Sequence, residues 1–186
     1  MSPIVFPQEI DNKIVFVGLP KAGKTTLVRR LRHGDEMDPN VTTTVGVAIE
    51  LIEYVDSEGI STQYLALDCG GQLEFAKALW QPHVEASDGV CFLFDSTDVE
   101  SVESAKKWLD EVLSWIDHDS PSRKDTPLLF LANKSDLSKA LDLKDIINRL
   151  QLKKITKKSF GIYQISALKG SQVDEAFDWL FERINR

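Results

Sequence analysis

Residues 18–25 read Gly-Leu-Pro-Lys-Ala-Gly-Lys-Thr, the spacing G-x-x-x-x-G-K-[ST] of a phosphate-binding loop. Such a loop works between a buried strand and the start of a helix, and the flanks supply both. Lys13-Ile14-Val15-Phe16-Val17 is a β-branched and aromatic run of the kind that fills a buried strand. Thr25 to Leu31 reads as the first turns of a helix. Gly18 and Gly23 permit backbone angles and a close approach that a side chain would block. The loop N–H groups then turn inward, and the helix N-terminus adds the positive end of its dipole. Lys24 is placed to reach the β- and γ-phosphates, and the Thr25 hydroxyl to ligate magnesium. Pro20, Lys21, Ala22 and Thr26 complete the candidate contacts of this segment.

Working outward, the chain of 186 residues has the length of one domain with a full core. Its net charge of −7 argues against a general nucleic-acid binder, whose footprint would be basic. Cys69 and Cys91 do not form a disulfide framework, so reduced thiols in a cytoplasmic protein are expected. There is no signal peptide and no apolar run long enough to span a bilayer. Position 2 is Ser, and the C-terminus Glu-Arg-Ile-Asn-Arg offers no prenylation cysteine. Membrane association therefore has no evident lipidation motif behind it. Residues 1–12 hold Ile4, Val5, Phe6 and Ile10, but Pro3 and Pro7 interrupt any helix. They read as an extended extension packed on a domain spanning 13–186.

Along that domain, 33–44 turns polar and reads as a loop. Residues 45–55 and 60–67 are strand-like, joined by a hairpin turn at Asp56-Ser57-Glu58-Gly59. Residues 89–95 and 127–133 are short continuous apolar runs, as central parallel strands should be. Between them Val102, Ala105, Leu109, Val112, Leu113 and Ile116 recur at helical spacing. A polar loop is expected at 118–126, a short helix at 143–150, a last strand at 161–166 and a closing amphipathic helix at 173–184. Strands alternating with helices make an α/β fold: a mostly parallel sheet with helices on both faces, its ligand at the C-terminal strand ends.

Three further motifs fall at those ends. Asp68-Cys69-Gly70-Gly71-Gln72 brings a carboxylate that can hold magnesium, directly or through water. Gly71 lets its N–H approach a γ-phosphate, and Gln72 can orient an attacking water. Asn133-Lys134-Ser135-Asp136 offers a carboxylate that accepts from N1–H and the 2-amino group of guanine. Adenine has no such donor pair, so Asp136 discriminates between the two bases. Ser166-Ala167-Leu168-Lys169 would bring a backbone N–H to the guanine carbonyl. Lys21 reads either as a solvated loop lysine or as a cation near the γ-phosphate. Lys153, Lys154, Lys157 and Lys158 read as a solvated basic patch.

Taken in order, these motifs resemble the Ras superfamily of small GTPases, and within it the ADP-ribosylation factor (Arf) and Arf-like family. The stretches that carry this are Gly-Lys-Thr-Thr-Leu at 23–27, Thr-Val-Gly at 44–46 and Asp-Cys-Gly-Gly-Gln at 68–72 with Trp80. Phe-Asp-Ser at 94–96 and Ala-Asn-Lys at 132–134 complete them. The resemblance covers 13–185. It implies the P-loop GTPase fold: a six-stranded sheet with one antiparallel edge strand, flanked by five helices. It also implies that Thr44 is the switch residue that ligates magnesium only with GTP bound, with Thr42 and Thr43 as adjacent alternatives. The chain departs from the family at its N-terminus, where Ser2, Pro3 and Pro7 replace a myristoylated amphipathic helix. It departs again at Pro20, where the family carries an acidic residue, and at the aromatic effector positions, here Val47, Leu67 and His83.

The expectation is a small GTP-binding switch that hydrolyses GTP slowly. Lys24, Thr44, Gly71 and Gln72 are its catalytic candidates, and Thr25, Thr44 and Asp68 its magnesium set. Its partners are GTP or GDP with Mg²⁺, a GTPase-activating protein, an exchange factor and effectors. Two rivals are a P-loop kinase or ATPase, opposed by Asp136 and Asn133, and a non-hydrolysing scaffold that binds nucleotide structurally, opposed by Gln72 and Thr44.

Overall fold

Three apolar runs make the middle of the sheet: β1 (Lys13–Gly18), β4 (Gly89–Asp95) and β5 (Leu128–Asn133), each buried along nearly its whole length. The computed structural model describes residues 10, 12–38, 40–55, 58–116, 125–155 and 159–185. Around the three runs lie β2 (Val47–Val55), β3 (Ser61–Cys69) and β6 (Phe160–Gln164), in the spatial order β2-β3-β1-β4-β5-β6. Only β2 and β3 pair antiparallel, with β2 at the edge. The other pairings are parallel.

Side chains alternate across a strand, so each central run feeds two cores. Ile14, Phe16, Cys91, Leu93, Leu129 and Leu131 meet helix α1 (Lys24–His33) and helix α5 (Val173–Ile184). Val15, Val17, Phe92, Phe94 and Phe130 face the other way. They meet α2 (Ala76–Glu85), α3 (Val99–Ile116) and α4 (Leu143–Leu150). Trp80 of α2 is fully buried, edge-on to Phe92 and Trp108. Its indole N–H donates to Gly70 O at 2.9 Å, which ties the segment after β3 into the core. Among the described residues, no helix is long and apolar enough to cross a membrane.

Several boundaries move from the sequence expectation. β2 begins at Val47 rather than 45, where its pairing with Cys69 begins. β3 runs on through Asp68 and Cys69, because Phe16 pairs with Asp68 on one side and Val47 with Cys69 on the other. Asp68 thus ends a strand instead of following one. β6 stops at Gln164, two residues early, although Ile165 still donates to Ala132 O. A single 3-10 turn, Gly34–Glu36, sits inside the expected loop. The expected packing of residues 1–9 and 11 lies outside the described residues. So do Asp56 and Ser57 of the hairpin turn, 118–124 of the polar loop, and Lys157 and Lys158 of the lysine cluster.

Parallel pairing puts the C-terminal ends of β1, β3, β4 and β5 along one edge. Gly18 faces Leu93, and Asp95 faces Asn133, so the motifs are brought together by register.

Candidate functional site

The phosphate loop leaves β1 at Gly18, whose φ is 136°. A Cβ there would lie 2.1 Å from Leu93 O, so only glycine fits beside β4. Gly23, at φ 91°, caps α1, and the first turn of that helix has no acidic side chain to compete with an anion. Lys24 is 7% exposed, and its ammonium donates to Gly18 O and Leu19 O, both at 2.9 Å. Burial lowers its pKa to about 8, against the opposing charge of Asp68. Lys21 takes φ 60° and stays exposed.

Three oxygens from distant segments converge beside Lys24. The Thr25 hydroxyl donates to Asp68 Oδ2 at 2.5 Å, and the Thr44 hydroxyl donates to the same oxygen at 3.2 Å. The two hydroxyls are 2.8 Å apart. Thr44, rather than Thr42 or Thr43, makes these contacts. Burial raises the Asp68 carboxyl above the usual range, against hydrogen bonds from Thr25 and Thr44 and the Lys24 charge. Its second oxygen, Oδ1, is buried with no hydrogen-bond partner among the described residues. An orphaned carboxylate oxygen beside two hydroxyls is a hard-oxygen donor set of the kind magnesium takes.

The loop after β3 closes on this cluster. Gly70 N–H donates to Gly46 O at 2.8 Å. A Cβ on Gly71 would sit 2.7 Å from Lys24 Nζ and 3.0 Å from Leu19 O, so this glycine lies directly on the phosphate loop. Gln72 is exposed at the rim. Together Pro20–Lys21, 23–26, 41–44 and Gly71–Gln72 line a cavity of about 440 Å³. A larger groove of about 560 Å³ between β2 and α5 is lined by the carboxylates of Asp35, Glu53, Asp174 and Asp178 against the cations Arg30 and Lys169, a net negative wall that disfavours phosphate.

At the other end, buried Asn133 holds two loops at once. Its amide donates to Ala22 O at 2.7 Å, and its carbonyl oxygen accepts from Ala167 N–H at 2.9 Å. Lys134 pairs with Asp95. Although partial burial opposes it, Asp95 is held below the usual carboxylate range by Lys134 and Thr97. Asp136 is exposed in the turn that follows, and Ser135 N–H donates to Ile165 O at 3.0 Å. Ser166 is buried, Ala167 is nearly so and Leu168 is 46% exposed. Asn133, Asp136 and Ser166–Leu168 are not among the residues that line the cavity.

Two residues were not foreseen from the sequence. Arg29 donates to Asn40 O at 2.8 Å and Asp38 O at 3.3 Å, holding the segment that leads to Thr44. Arg30 donates to the carbonyls of Ala167 and Leu168. Arginines near a helix C-terminus read as dipole partners, and carbonyl acceptors leave no mark in a sequence. Of the expected effector positions, Leu67 is buried, while Val47 and His83 are half-buried. Val45, Ile49 and Phe75 are the most exposed large apolar groups of these segments, at 80%, 65% and 59%.

Comparison with known proteins agrees with this layout. Residues 4–184 match the profile of the ADP-ribosylation factor family. ADP-ribosylation factor J of Dictyostelium discoideum is 30% identical over 181 residues, 97% of this chain and 89% of that protein. Human ADP-ribosylation factor-like protein 4C is 34% identical over 174 residues, covering 92% and 85%. Among solved structures, the Arl6 (BBS3) small GTPase of Trypanosoma brucei, determined with the nucleotide analogue GppNp, superposes with a TM-score of 0.80. It is 29% identical and covers 94% of this chain and 98% of that one. With a six-stranded sheet, five helices among the described residues and a phosphate loop at the C-terminal ends of the strands, the chain belongs to the ADP-ribosylation factor family of small GTPases.

Proposed function

We propose that the protein is a GTP-hydrolysing switch that works with Mg²⁺ and turns over slowly unaided. The observation that carries this is the meeting of Thr25, Thr44 and Asp68 around an unpartnered carboxylate oxygen. It joins the phosphate loop, the loop before β2 and the end of β3 at one point. Those residues would hold Mg²⁺, which when bound neutralises charge on the β- and γ-phosphate oxygens.

The chain's own groups do the rest. Loop amides from Lys21 to Thr26 and the α1 N-terminus receive the phosphates, and Lys24 sets its charge between them. Gln72 orients a water for in-line attack on the γ-phosphorus. The new bond is to the water oxygen. The bond to the β–γ bridging oxygen breaks, its electron pair leaves with GDP, and the water proton passes to phosphate. Asp136 selects guanine. The γ-phosphate holds 35–46 and 69–82 ordered, and its loss releases them. An arginine supplied by an activating protein adds about 10³–10⁵ in rate in this class. An activating protein, an exchange factor and effectors are accordingly the partners to expect, in the cytoplasm.

Single-turnover hydrolysis of GTP and of ATP, with Mg²⁺, tests the reading on the wild type and Gln72→Leu. Slow GTP-selective turnover that drops at least tenfold in the variant is expected. Turnover of ATP would overturn it, and tight GTP binding that stays silent even with an activator would leave the scaffold.

A further inference from the structure

Arg30 sits in the last turn of α1, far in sequence from the loop it grips. Its side chain is 11% exposed, and each of its three nitrogens has a partner. Nε donates to Ala167 O at 3.2 Å, Nη2 donates to Leu168 O, and Nη1 pairs with Asp35. The Asp35 arm is a surface pair, since that carboxylate is 98% exposed, and contributes little. The two carbonyl arms are what distinguish this residue. A planar guanidinium reaches two successive carbonyls at fixed angles, which a lysine ammonium does not.

Gripping a carbonyl also aims an amide. In a trans peptide the C=O and the following N–H point in opposite directions within one plane. No cis bond occurs among the described residues. With Ala167 O turned toward α1, the Leu168 N–H is turned away from it. With Leu168 O held the same way, the Lys169 N–H also points away, and it donates to Ser166 Oγ at 3.0 Å.

The amides on either side of the Leu168 N–H are occupied. Ser166 donates to Ser171 O at 3.1 Å, Ala167 to Asn133 Oδ1 at 2.9 Å and Gly170 to Ser166 O at 2.7 Å. Of the four amides from Ser166 to Lys169, that of Leu168 is the one without a partner among the described residues. We propose that Arg30 is a positioning residue for base recognition: its grip on Ala167 O and Leu168 O presents the Leu168 N–H to the 6-carbonyl of guanine.

This rests on the guanine-nucleotide reading above, and ligand chemistry separates the two. Affinities of GDP, of IDP and of 2-aminopurine riboside diphosphate are measured for the wild type, Arg30→Ala and Arg30→Lys. IDP keeps the 6-carbonyl and lacks the 2-amino group, whereas the 2-aminopurine nucleotide is the reverse. Both variants are expected to lose about tenfold on GDP and on IDP, the worth of one hydrogen bond aimed at a buried carbonyl. The 2-aminopurine nucleotide should change by less than about twofold, because it has no oxygen for the aimed amide to meet. Equal losses on all three ligands, or no loss on GDP in either variant, overturn the role of Arg30. Arg30→Lys keeps the charge and the helix, so it decides the matter if Arg30→Ala does not fold. A wild type that fails to bind GDP overturns the nucleotide reading itself.

Discussion

The two ends of the site are built by opposite means. The phosphate cradle is local, since residues 18–26 supply its amides, its lysine and one hydroxyl; Thr44, Asp68 and the Gly71 loop reach it from elsewhere. The base end is assembled across the molecule. Asn133 reaches Ala22 across 111 residues, and Arg30 reaches Ala167 across 137. A local cradle follows from residue types at fixed spacing. A distributed one follows from the sheet register that sets Asp95 opposite Asn133 and brings Ile165 onto Ala132. The loop 18–26 therefore tolerates change elsewhere better than the base end, which depends on the whole edge of the sheet.

Asn133 is where the two ends are joined, and breaking it should have the largest effect. Asn133→Ala leaves Ala22 O and Ala167 N–H unpaired, and both residues are almost wholly buried. Each orphaned group costs about 1–3 kcal/mol. A combined loss of about 2–6 kcal/mol should lower the Tm by roughly 4–24 °C for a domain of this size. Thermal unfolding without nucleotide reads it directly. A shift below about 2 °C would mean the loops hold their places without this side chain.

The same contrast decides what could be read in advance. Gly18–Thr25 announced its own geometry, because a strand, two glycines and a helix start are adjacent in the chain. The apolar runs at 89–95 and 127–133 announced the doubly buried strands for a similar reason: both faces are covered, so no polar alternation interrupts them. Helix α2 was harder to see. Its core positions Ala76, Trp80 and Val84 are few, and Pro82 lies inside it. The extension of β3 through Asp68 depends on pairing with two neighbours at once, which residue types do not encode. Arg30 is the extreme case: its partners are carbonyls, and every residue has one.

Lys21 sharpens the phosphate end. Its left-handed backbone costs a side-chain-bearing residue about 1–2 kcal/mol, yet the position is not glycine. The exposed ammonium shares the cavity rim with Gln72. Lys21→Ala keeps the backbone cost and removes the charge. It should slow single-turnover GTP hydrolysis by about threefold to tenfold, a share of what an external arginine provides. Lys21→Gly removes both and should slow it equally while gaining stability. Unchanged hydrolysis in both would make Lys21 a solvated loop lysine.

The smallest effect belongs to the ion pair at the base end. Asp95, held below its ordinary pKa by Lys134 and Thr97 despite partial burial, binds its proton less readily folded than unfolded. Its stabilising contribution is thus complete above about pH 4, the unfolded carboxylate value, and is lost as pH falls through the lower folded value. Lys134 is 32% exposed in the pair, so solvent screening keeps the contribution below about 1 kcal/mol. Asp95→Asn retains an acceptor for the Thr97 N–H and hydroxyl but removes the charge that faces Lys134. The Tm difference between wild type and this variant should be about 2–3 °C at pH 7 and should shrink toward zero below pH 4. A difference that stays constant from pH 7 to pH 3 would assign the role of Asp95 to its hydrogen bonds with Thr97. Arg30 would then be the charged group that holds the base end, through neutral carbonyl acceptors.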